Sequence, residues 1–252
     1  MRALITGASS GIGEEIAKYL DWLGCETILV ARRKDRLEEL QSKLQHKSEI
    51  ISLDLGKEEN VYKLLDMTKD VDIDILINNA GFGLFGKFYE TDLDRELEMI
   101  NLNIKALHIL TKEFVKRLRA KSDGGYILNV ASSAGFLAGP NLSTYYATKN
   151  YVLKLTEAIN EELRQDKSNV HISALCPGPV DTEFNQVAHG TFATKALTAE
   201  KVAKIAVEGM FKKKMIIIPG TTIKLGRFFM RFLPERTLLK FIYKYQDNKM
   251  KK

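Results

Sequence analysis

Short apolar runs alternate with helical stretches along most of the chain, and this alternation limits the fold more than any other feature. It is typical of successive β-α-β units, in which helices join parallel strands. After the second run, Leu37, Leu40 and Leu44 recur at three- and four-residue spacing, so a helix there offers one apolar face to a sheet. We predict a doubly wound α/β fold, that is, a Rossmann fold with a seven-stranded parallel sheet and helices on both faces. The predicted strands are residues 4–6, 27–31, 50–53, 73–78, 126–131, 170–176 and 215–218.

The domain organisation follows from the evenness of the sequence. No break in composition and no low-complexity linker interrupts residues 1–220, so we expect a single domain over residues 1–252. Only residues 221–252 differ from the rest of the chain in charge. They contain nine basic and two acidic residues, whereas the whole chain carries a net charge of only +6. The excess positive charge therefore belongs to this basic amphipathic extension and not to the body.

Composition and charge exclude several classes of protein. With 45% hydrophobic and 28% charged residues the chain is neither disordered nor fibrous, and no apolar run approaches the roughly 18 residues that a bilayer-crossing helix needs. Two cysteines, Cys25 and Cys176, are too few for a disulfide framework. The first predicted strand begins so near Met1 that no signal peptide fits before it. We expect a cytoplasmic protein that uses the whole chain, with no metal site and no nucleic-acid partner.

A glycine-rich segment follows the first predicted strand and opens the first predicted helix. Residues 6–13 are Thr-Gly-Ala-Ser-Ser-Gly-Ile-Gly. Glycines allow a sharp turn and a close approach of the backbone to a pyrophosphate, and the free amides at a helix amino terminus favour an anion. A plain tight turn is the alternative interpretation. The order of strand, turn and helix favours a dinucleotide-binding loop.

Two arginines, Arg32 and Arg33, end the second predicted strand, where many NAD enzymes carry an acidic residue that binds the adenosine ribose. A carboxylate would repel a 2′-phosphate, whereas a charge-assisted hydrogen bond from arginine contributes about 1.5–3 kcal/mol. The pair therefore predicts a preference for NADP(H), through Arg32 first and Arg33 second. Two solvated arginines at a helix start are the alternative.

A tyrosine and a lysine four residues apart, Tyr145 and Lys149, lie in the helix predicted after the fifth strand. They share a helical face, so we expect the ammonium near the phenol. At about 5 Å and an effective dielectric near 20, that charge contributes about 3 kcal/mol of the roughly 4 kcal/mol needed to bring the phenol pKa near neutrality. Ser132, just past the fifth strand, can hydrogen-bond a substrate oxygen as charge develops on it.

Other residues resemble these three in type and position. Tyr245 and Lys249 have the same spacing, but they lie in the basic extension, where we expect a solvated face. Ser133 and Tyr146 adjoin the chosen serine and tyrosine, and we expect neither to act in catalysis.

Taken in chain order, these motifs resemble those of the short-chain dehydrogenase/reductase family. The resemblance covers about residues 3–182 and is carried by Ser132, by Tyr145 with Lys149, and by residues 6–13, 78–81, 101–104 and 177–182. It implies an enzyme that moves a hydride between a nicotinamide cofactor and a carbonyl or alcohol carbon. Such enzymes are commonly homodimers or homotetramers, so the resemblance also implies a homo-oligomer.

The resemblance also implies roles for the catalytic residues. Tyr145 corresponds to the general acid/base, and Lys149 to its electrostatic partner and ribose ligand. Ser132 corresponds to the partner of the substrate oxyanion, and Asn103 to part of a water-linked proton relay. A hydrogen bond with only a structural role is the alternative for Asn103.

For the cofactor, the resemblance places Asp54 at the adenine, Asn79 beside the adenosine ribose and Thr182 at the nicotinamide carboxamide. A cap on the following turn is the alternative for Asp54. Family members that use NADP often have a basic residue where this chain has Ser10, so the cofactor preference depends mainly on the two arginines. The predicted cofactor-binding residues are Gly7, Ser9, Ser10, Gly11, Ile12, Gly13, Arg32, Arg33, Asp54, Leu55, Asn79, Ala80, Gly81, Tyr145, Lys149, Pro177, Gly178, Val180 and Thr182.

The substrate is expected to be a sizeable hydrophobic carbonyl or alcohol, because apolar residues cluster around the predicted site. These are Phe82, Leu84, Phe85, Phe136, Leu137, Phe184 and Phe192, although aromatic residues near a sheet are more often core. Residues 183–198, with Gly190 as a hinge, resemble the family's mobile substrate lid after a core of residues 1–182. A 3-oxoacyl thioester reductase is a more specific interpretation. A cofactor-binding regulatory protein without turnover is the rival from another class.

The basic extension has two interpretations, because apolar and basic residues alternate between Ile223 and Tyr245. Such a segment can lie on an anionic membrane surface. It can equally pack on the body or on a second subunit and expose its lysines. We favour packing and keep weak contact with a membrane surface as the alternative.

Overall fold

A parallel sheet of seven strands forms the centre of the protein. The computed structural model describes residues 1–184, 196–230 and 232–250, with side chains described up to residue 247. The strands are β1 (Arg2–Thr6), β2 (Glu26–Ala31), β3 (Ser48–Ser52), β4 (Ile75–Asn78), β5 (Gly125–Val130), β6 (Val170–Leu175) and β9 (Ile216–Ile217). Their order across the sheet is β3-β2-β1-β4-β5-β6-β9, and all neighbouring pairs are parallel. Two short strands, β7 (Val180–Asp181) and β8 (Leu197–Thr198), pair with each other separately.

Helices join the strands and flank the sheet. They are α1 (Gly11–Trp22), α2 (Lys34–Gln41), α3 (Glu58–Met67), α4 (Leu93–Ile100), α5 (Leu107–Arg119), α6 (Ser143–Gln165), α7 (Ala199–Phe211), α8 (Thr221–Met230) and α9 (Glu235–Met250). A π-helical segment, Asn101–Ala106, joins α4 to α5, and a 3-10 turn, Ser133–Phe136, follows β5.

The hydrophobic core consists of two layers, one on each face of the sheet. On one face α1, α2 and α7 contribute buried residues such as Ile16, Leu37 and Met210. On the other face α3 and α5 contribute residues such as Leu64 and Phe114. Each side chain of this kind contributes about 1.5–3 kcal/mol when it is fully buried. The predicted doubly wound fold with helices on both faces is confirmed.

The predicted strands each overlap an observed strand, with ends that differ by a few residues. Leu37 and Leu40 are buried on the face of α2 that meets the sheet, as expected. Leu44 packs against the same core from beyond the end of this helix.

The strand order reverses between β1 and β4, which are neighbours in the sheet. Connections leave in opposite directions at such a point, and the crevice that opens at the carboxyl ends of the two strands is where open α/β sheets bind ligands. The glycine-rich loop follows β1, and Asn79 follows β4. The topology therefore brings the predicted cofactor residues to one edge of the sheet.

The basic extension forms α8 and α9. Helix α8 buries no residue completely, while α9 buries Ile242 and Gln246. Over the described ranges, no helix is both long and apolar enough to cross a membrane. The division of the chain into a core, a lid and an extension stays a prediction.

Candidate active site

A cavity of about 620 Å³ lies along the carboxyl edge of the sheet, between the glycine-rich loop and the carboxyl-terminal helices. Nearly all of the predicted site residues line it, including Arg32, Ser132 and Tyr145. The exceptions are Gly13 and Asn103, which lie behind the wall and contact residues that line it. Residues predicted from separate segments of the chain thus meet in one place.

The glycine-rich loop has the geometry of an anion cradle. Gly7 and Gly11 have φ values of +66° and +59°, a region that favours glycine. At Gly13, a Cβ atom would lie 2.3 Å from the carbonyl oxygen of Gly7, so a side chain there would displace the loop. Ser10 at the amino end of α1 makes no side-chain capping bond, which leaves the first-turn amides to face an anion. The loop therefore fits the pyrophosphate of a dinucleotide.

Hydrogen bonds between the ends of β1 and β4 hold this loop in place. The Thr6 hydroxyl accepts from the backbone amides of Asn79 and Ala80, at 3.0 and 3.1 Å. The Asn79 side-chain amide donates to the carbonyl oxygens of Thr6 and Gly7, at 3.1 and 3.0 Å. Asn79 therefore braces the loop as well as lining the cavity.

Three of the four predicted catalytic side chains, Ser132, Tyr145 and Lys149, line the same cavity. Tyr145 and Lys149 lie on successive turns near the start of α6, and Ser132 follows β5. The Ser132 hydroxyl lies close enough to the Tyr145 phenol to affect its pKa. The Lys149 ammonium lies 5.8 Å from the centre of the tyrosine ring and donates to the Val130 carbonyl oxygen at 2.8 Å. A phenol, a hydroxyl and an ammonium are thus arranged for proton transfer to a ligand oxygen.

Comparison with known proteins shows which family has this sequence pattern. The family model described as short chain dehydrogenase matches residues 1–191. This chain belongs to the short-chain dehydrogenase family. The dehydrogenase is 33% identical over 227 residues to a Staphylococcus epidermidis protein named as an uncharacterized oxidoreductase, covering 88% of this chain and 96% of that protein.

Solved structures also resemble this dehydrogenase. A short-chain dehydrogenase from Sphingobium yanoikuyae in complex with NADPH matches with a TM-score of 0.81 and 30% identity, over 87% of this chain and 88% of that one. A bulky-bulky ketone specific alcohol dehydrogenase from Comamonas testosteroni matches with a TM-score of 0.77 and 29% identity, over 86% and 85%. The protein is therefore an oxidoreductase of the short-chain dehydrogenase family, and a solved structure that it resembles is a complex with NADPH.

Burial dominates the pKa values of the two central groups of the dehydrogenase. It raises the pKa of the Tyr145 phenol well above 10, and the nearby Ser132 hydroxyl only partly opposes this. It also lowers the pKa of Lys149 from 10.5 to about 8. The expectation that the ammonium lowers the phenol pKa is wrong for the chain alone, because burial outweighs a lysine that is directed at the Val130 carbonyl. The phenol is consequently protonated at neutral pH.

Asn103 lies in the π-helical segment and is buried. Its side-chain amide donates to the Phe82 carbonyl oxygen at 2.9 Å and to the Thr148 hydroxyl at 3.1 Å, and its carbonyl oxygen accepts from the Phe82 amide at 3.1 Å. These bonds favour the structural interpretation, in which Asn103 positions the backbone of the cavity wall and the residue next to Lys149. The water-linked relay stays a prediction.

The two arginines of the cofactor site differ in their contacts. The Arg33 guanidinium donates to the hydroxyls of Ser9 and Ser10 at 3.2 and 2.9 Å, and pairs with the Glu183 carboxylate at 2.8 Å. Arg32 is exposed, and its side chain forms no hydrogen bond or ion pair with the described part of the chain. Arg32 is therefore the arginine whose side chain is more available to a ligand, and the order predicted for the two arginines stays a prediction.

Asp54 lines the cavity, but one of its carboxylate oxygens accepts from the Gly56 amide at 3.0 Å. This bond closes a local turn, the alternative role considered for this residue. The other carboxylate oxygen remains for a ligand, so both roles are compatible with the geometry.

The apolar wall of the cavity contains most of the residues expected there. Phe82, Phe85, Phe136, Leu137 and Phe184 all line the cavity. Leu84 is not among the residues that line it. Phe192, Gly190 and most of the expected lid fall outside the described residues.

Three features of the site were missed by sequence reasoning. The Gln246 amide on α9 donates to the Tyr146 hydroxyl at 2.7 Å, and both residues line the cavity. Tyr245, expected on a solvated face, is 40% exposed but also lines the cavity, whereas the side chain of Lys249 falls outside the described residues. Glu183 pairs with Arg33 across 150 residues of sequence. Local patterns carry no signal for such distant contacts.

Proposed function

We propose that the protein is an NADP-dependent oxidoreductase that transfers a hydride between the nicotinamide and a hydrophobic carbonyl or alcohol substrate. The observation that carries this proposal is the meeting of Tyr145, Ser132 and Lys149 with the glycine-rich loop in one cavity. Phe82, Phe136 and Leu137 contribute apolar surface to the same cavity. A site with a few polar groups in an apolar cavity is typical of small-molecule binding.

The residues that would hold the cofactor are spread along the edge of the sheet, where they line the cavity. The amides of the glycine-rich loop would bind the pyrophosphate, and Arg32 with Arg33 would bind the 2′-phosphate. Thr182 would bind the carboxamide, and Lys149 would bind the ribose. When bound, the reduced cofactor supplies the hydride for the carbonyl carbon.

The proton comes from the chain itself. In the direction of reduction, Ser132 holds the substrate oxygen and Tyr145 gives that oxygen its proton as negative charge develops there. The raised pKa of the Tyr145 phenol favours this acid role, because the phenol is protonated at neutral pH. Lys149, with a pKa of about 8, can return a proton to the tyrosine near neutral pH. Oxidation of an alcohol reverses these steps.

The substrate class is tested by NADPH consumption across hydrophobic ketones, aldehydes, steroids and 3-oxoacyl thioesters, with small ketones as the matched control. We expect a higher kcat/KM for bulky hydrophobic carbonyls than for small ones, because the cavity wall is apolar. The highest kcat/KM with 3-oxoacyl thioesters would instead establish the thioester reductase. NADPH binding without consumption of any carbonyl would contradict the proposal and favour a regulatory protein.

The cofactor preference is tested by Arg32→Asp, with Lys34→Asp as the control. Lys34 is an exposed cation close in sequence to Arg32 that does not line the cavity. We expect Arg32→Asp to lower the ratio of kcat/KM for NADPH to that for NADH by about 10- to 100-fold, since one charge-assisted bond contributes about 1.5–3 kcal/mol. An unchanged ratio would contradict the assignment. A homodimeric or homotetrameric state and a cytoplasmic location stay predictions.

A further inference from the structure

The two carboxyl-terminal helices each have an inner face toward the cavity. On α8, Ile223, Gly226 and Met230 line the cavity, and on α9, Ile242 and Gln246 do so. These residues recur at the spacing of a single helical face. The favoured expectation, that the extension packs on the body, therefore describes one side of each helix.

Arg227 fixes this orientation of α8. Its guanidinium lies 4.5 Å from the centre of the Phe136 ring and 3.9 Å from a carboxylate oxygen of Glu157 on α6. An arginine over an aromatic ring contributes to packing as well as to charge. The opposite side of α8 is consequently turned away from the body.

That outer side carries a cluster of three phenylalanine rings, which we call the phenylalanine patch. Phe228 contacts Phe229 and Phe232, with ring centres 5.5 Å apart in both pairs. Single exposed apolar residues are common on soluble proteins, but a contiguous group marks a surface that binds something. The three rings are between 55% and 72% exposed. Three further apolar side chains of the extension are between 44% and 65% exposed: Leu225, Leu233 and Phe241.

The segment that carries the phenylalanine patch is strongly positive. Lys224 on α8 and Lys240 and Lys244 on α9 are exposed and form no ion pair within the described residues. The segment from residue 221 to residue 252 has nine basic and two acidic residues. Unpaired cations around exposed aromatic residues complement an anionic surface with an apolar interior, which is the chemistry of an anionic lipid bilayer.

We propose that α8 and α9 form a docking surface for anionic lipid bilayers, with the phenylalanine patch inserted at the interface and the lysines at the headgroups. The helices lie along the bilayer surface, since none is long and apolar enough among the described residues to cross it. The docking surface does not depend on the proposed activity.

A second copy of the chain is a less suitable occupant. Two extensions placed face to face would bring two strongly positive segments together. Another copy does offer an acidic stretch with exposed Phe88 and Leu93, at residues 88–98. A contact from the extension of one copy to that stretch of the next is head-to-tail, so it tends to propagate into open chains and not to close as a dimer.

Docking also bears on the substrate, and this consequence rests on the proposed function. The inner faces of the same two helices line the cavity, so a docked protein has its substrate cavity directly above the lipid. A hydrophobic carbonyl dissolved in the bilayer would then enter without crossing water. We therefore infer that the substrate is a carbonyl compound that partitions into lipid.

Vesicle co-sedimentation tests the docking surface. The full chain is mixed with phosphatidylcholine vesicles with and without phosphatidylglycerol, at low and high salt. We expect binding only to vesicles with phosphatidylglycerol, and weaker binding at high salt. Failure to sediment with phosphatidylglycerol vesicles at low salt would overturn the proposal.

Variants separate the apolar from the electrostatic contribution. Combining Phe228→Ser, Phe229→Ser and Phe232→Ser is expected to weaken vesicle binding at least about 10-fold, because three exposed rings lose their place in the lipid. Combining Lys224→Gln, Lys240→Gln and Lys244→Gln is expected to weaken binding by about 100-fold. Phe88→Ser with Leu93→Ser is the matched control and should bind like the wild type. Thermal unfolding and NADPH binding verify that each variant is folded.

Light scattering tests the other occupant. If the wild type self-associates and both the phenylalanine variant and the Phe88→Ser, Leu93→Ser control become monomeric, the patch covers a second copy and the bilayer proposal fails.

Turnover of a long-chain ketone and of a short water-soluble ketone distinguishes an effect of membrane docking from an effect on catalysis. We expect phosphatidylglycerol vesicles to raise turnover of the long-chain ketone only, and only in the wild type. If the protein turned over neither the long-chain nor the short ketone, the proposed function would be contradicted. Turnover of these ketones without vesicle binding would instead contradict the docking surface.

Discussion

Lys149 is an ammonium buried between the sheet and α6, and its replacement should stabilise the protein while removing its activity. Burial lowers its pKa from 10.5 to about 8. At about 1.36 kcal/mol for each pH unit, this difference destabilises the folded protein by about 3 kcal/mol at pH 7. Lys149→Met removes the charge but also the hydrogen bond to the Val130 carbonyl oxygen, which contributes about 1 kcal/mol. We expect a net gain of about 2 kcal/mol at pH 7.

The pH dependence of this gain has a definite sign. A lysine whose pKa is lowered by folding binds fewer protons in the folded than in the unfolded state between about pH 8 and pH 10.5. The stability of the wild type therefore rises with pH across this window relative to that of the variant. The advantage of Lys149→Met should shrink by about 2 kcal/mol between pH 7 and pH 9.5.

Urea unfolding of wild type and variant, measured at several pH values in that range, gives the difference in stability at pH 7 and its change with pH. Taking the difference between the two proteins cancels the titration of all other groups that behave alike in both. A variant that is less stable than the wild type at pH 7, or a difference that does not change with pH, would refute the assignment of a strained buried ammonium. Turnover of the variant should be lost at every pH.

Two contacts that join distant parts of the chain can be tested by substitution. Glu183→Gln frees Arg33 from its ion pair and should tighten NADPH binding about two- to five-fold at low salt, because an exposed pair contributes at most about 1 kcal/mol. The affinity for NADH should not change. Equal effects on the affinities for both cofactors in fluorescence titrations would be inconsistent with this role. The Gln246–Tyr146 hydrogen bond is tested by Gln246→Leu and Tyr146→Phe, each of which should raise KM for bulky ketones without changing kcat. The KM of the double variant should equal that of either single variant, because both substitutions remove the same bond. Additive effects on KM would contradict a role for this bond in substrate binding.

The fold could be predicted because its signal is local and repeated. Seven apolar runs separated by helical stretches lead to one parallel sheet, and each predicted strand overlaps an observed one. The position of the site followed from the same reasoning, since Gly7, Ser132 and Arg32 all come at the carboxyl ends of parallel strands. Residues in these positions meet whatever the details of packing are.

Properties that depend on packing between distant segments could not be predicted. The Gln246–Tyr146 bond joins residues 100 positions apart, and no spacing rule connects them. The direction of the Tyr145 pKa shift depends on how completely other elements bury the phenol, which helical spacing to Lys149 does not reveal. Likewise, the alternation of apolar and basic residues in the extension did not show which apolar side chains face the cavity and which face outward.

Replacing Tyr145 with phenylalanine tests the central claim most directly, because this change removes one hydroxyl and little else. NADPH affinity and kcat for a hydrophobic ketone are measured on the same preparation, with Tyr146→Phe as the matched control. We expect kcat to fall by about 100- to 10,000-fold, the usual contribution of a general acid, while NADPH affinity stays near that of the wild type. Turnover at the wild-type rate in Tyr145→Phe would contradict the account.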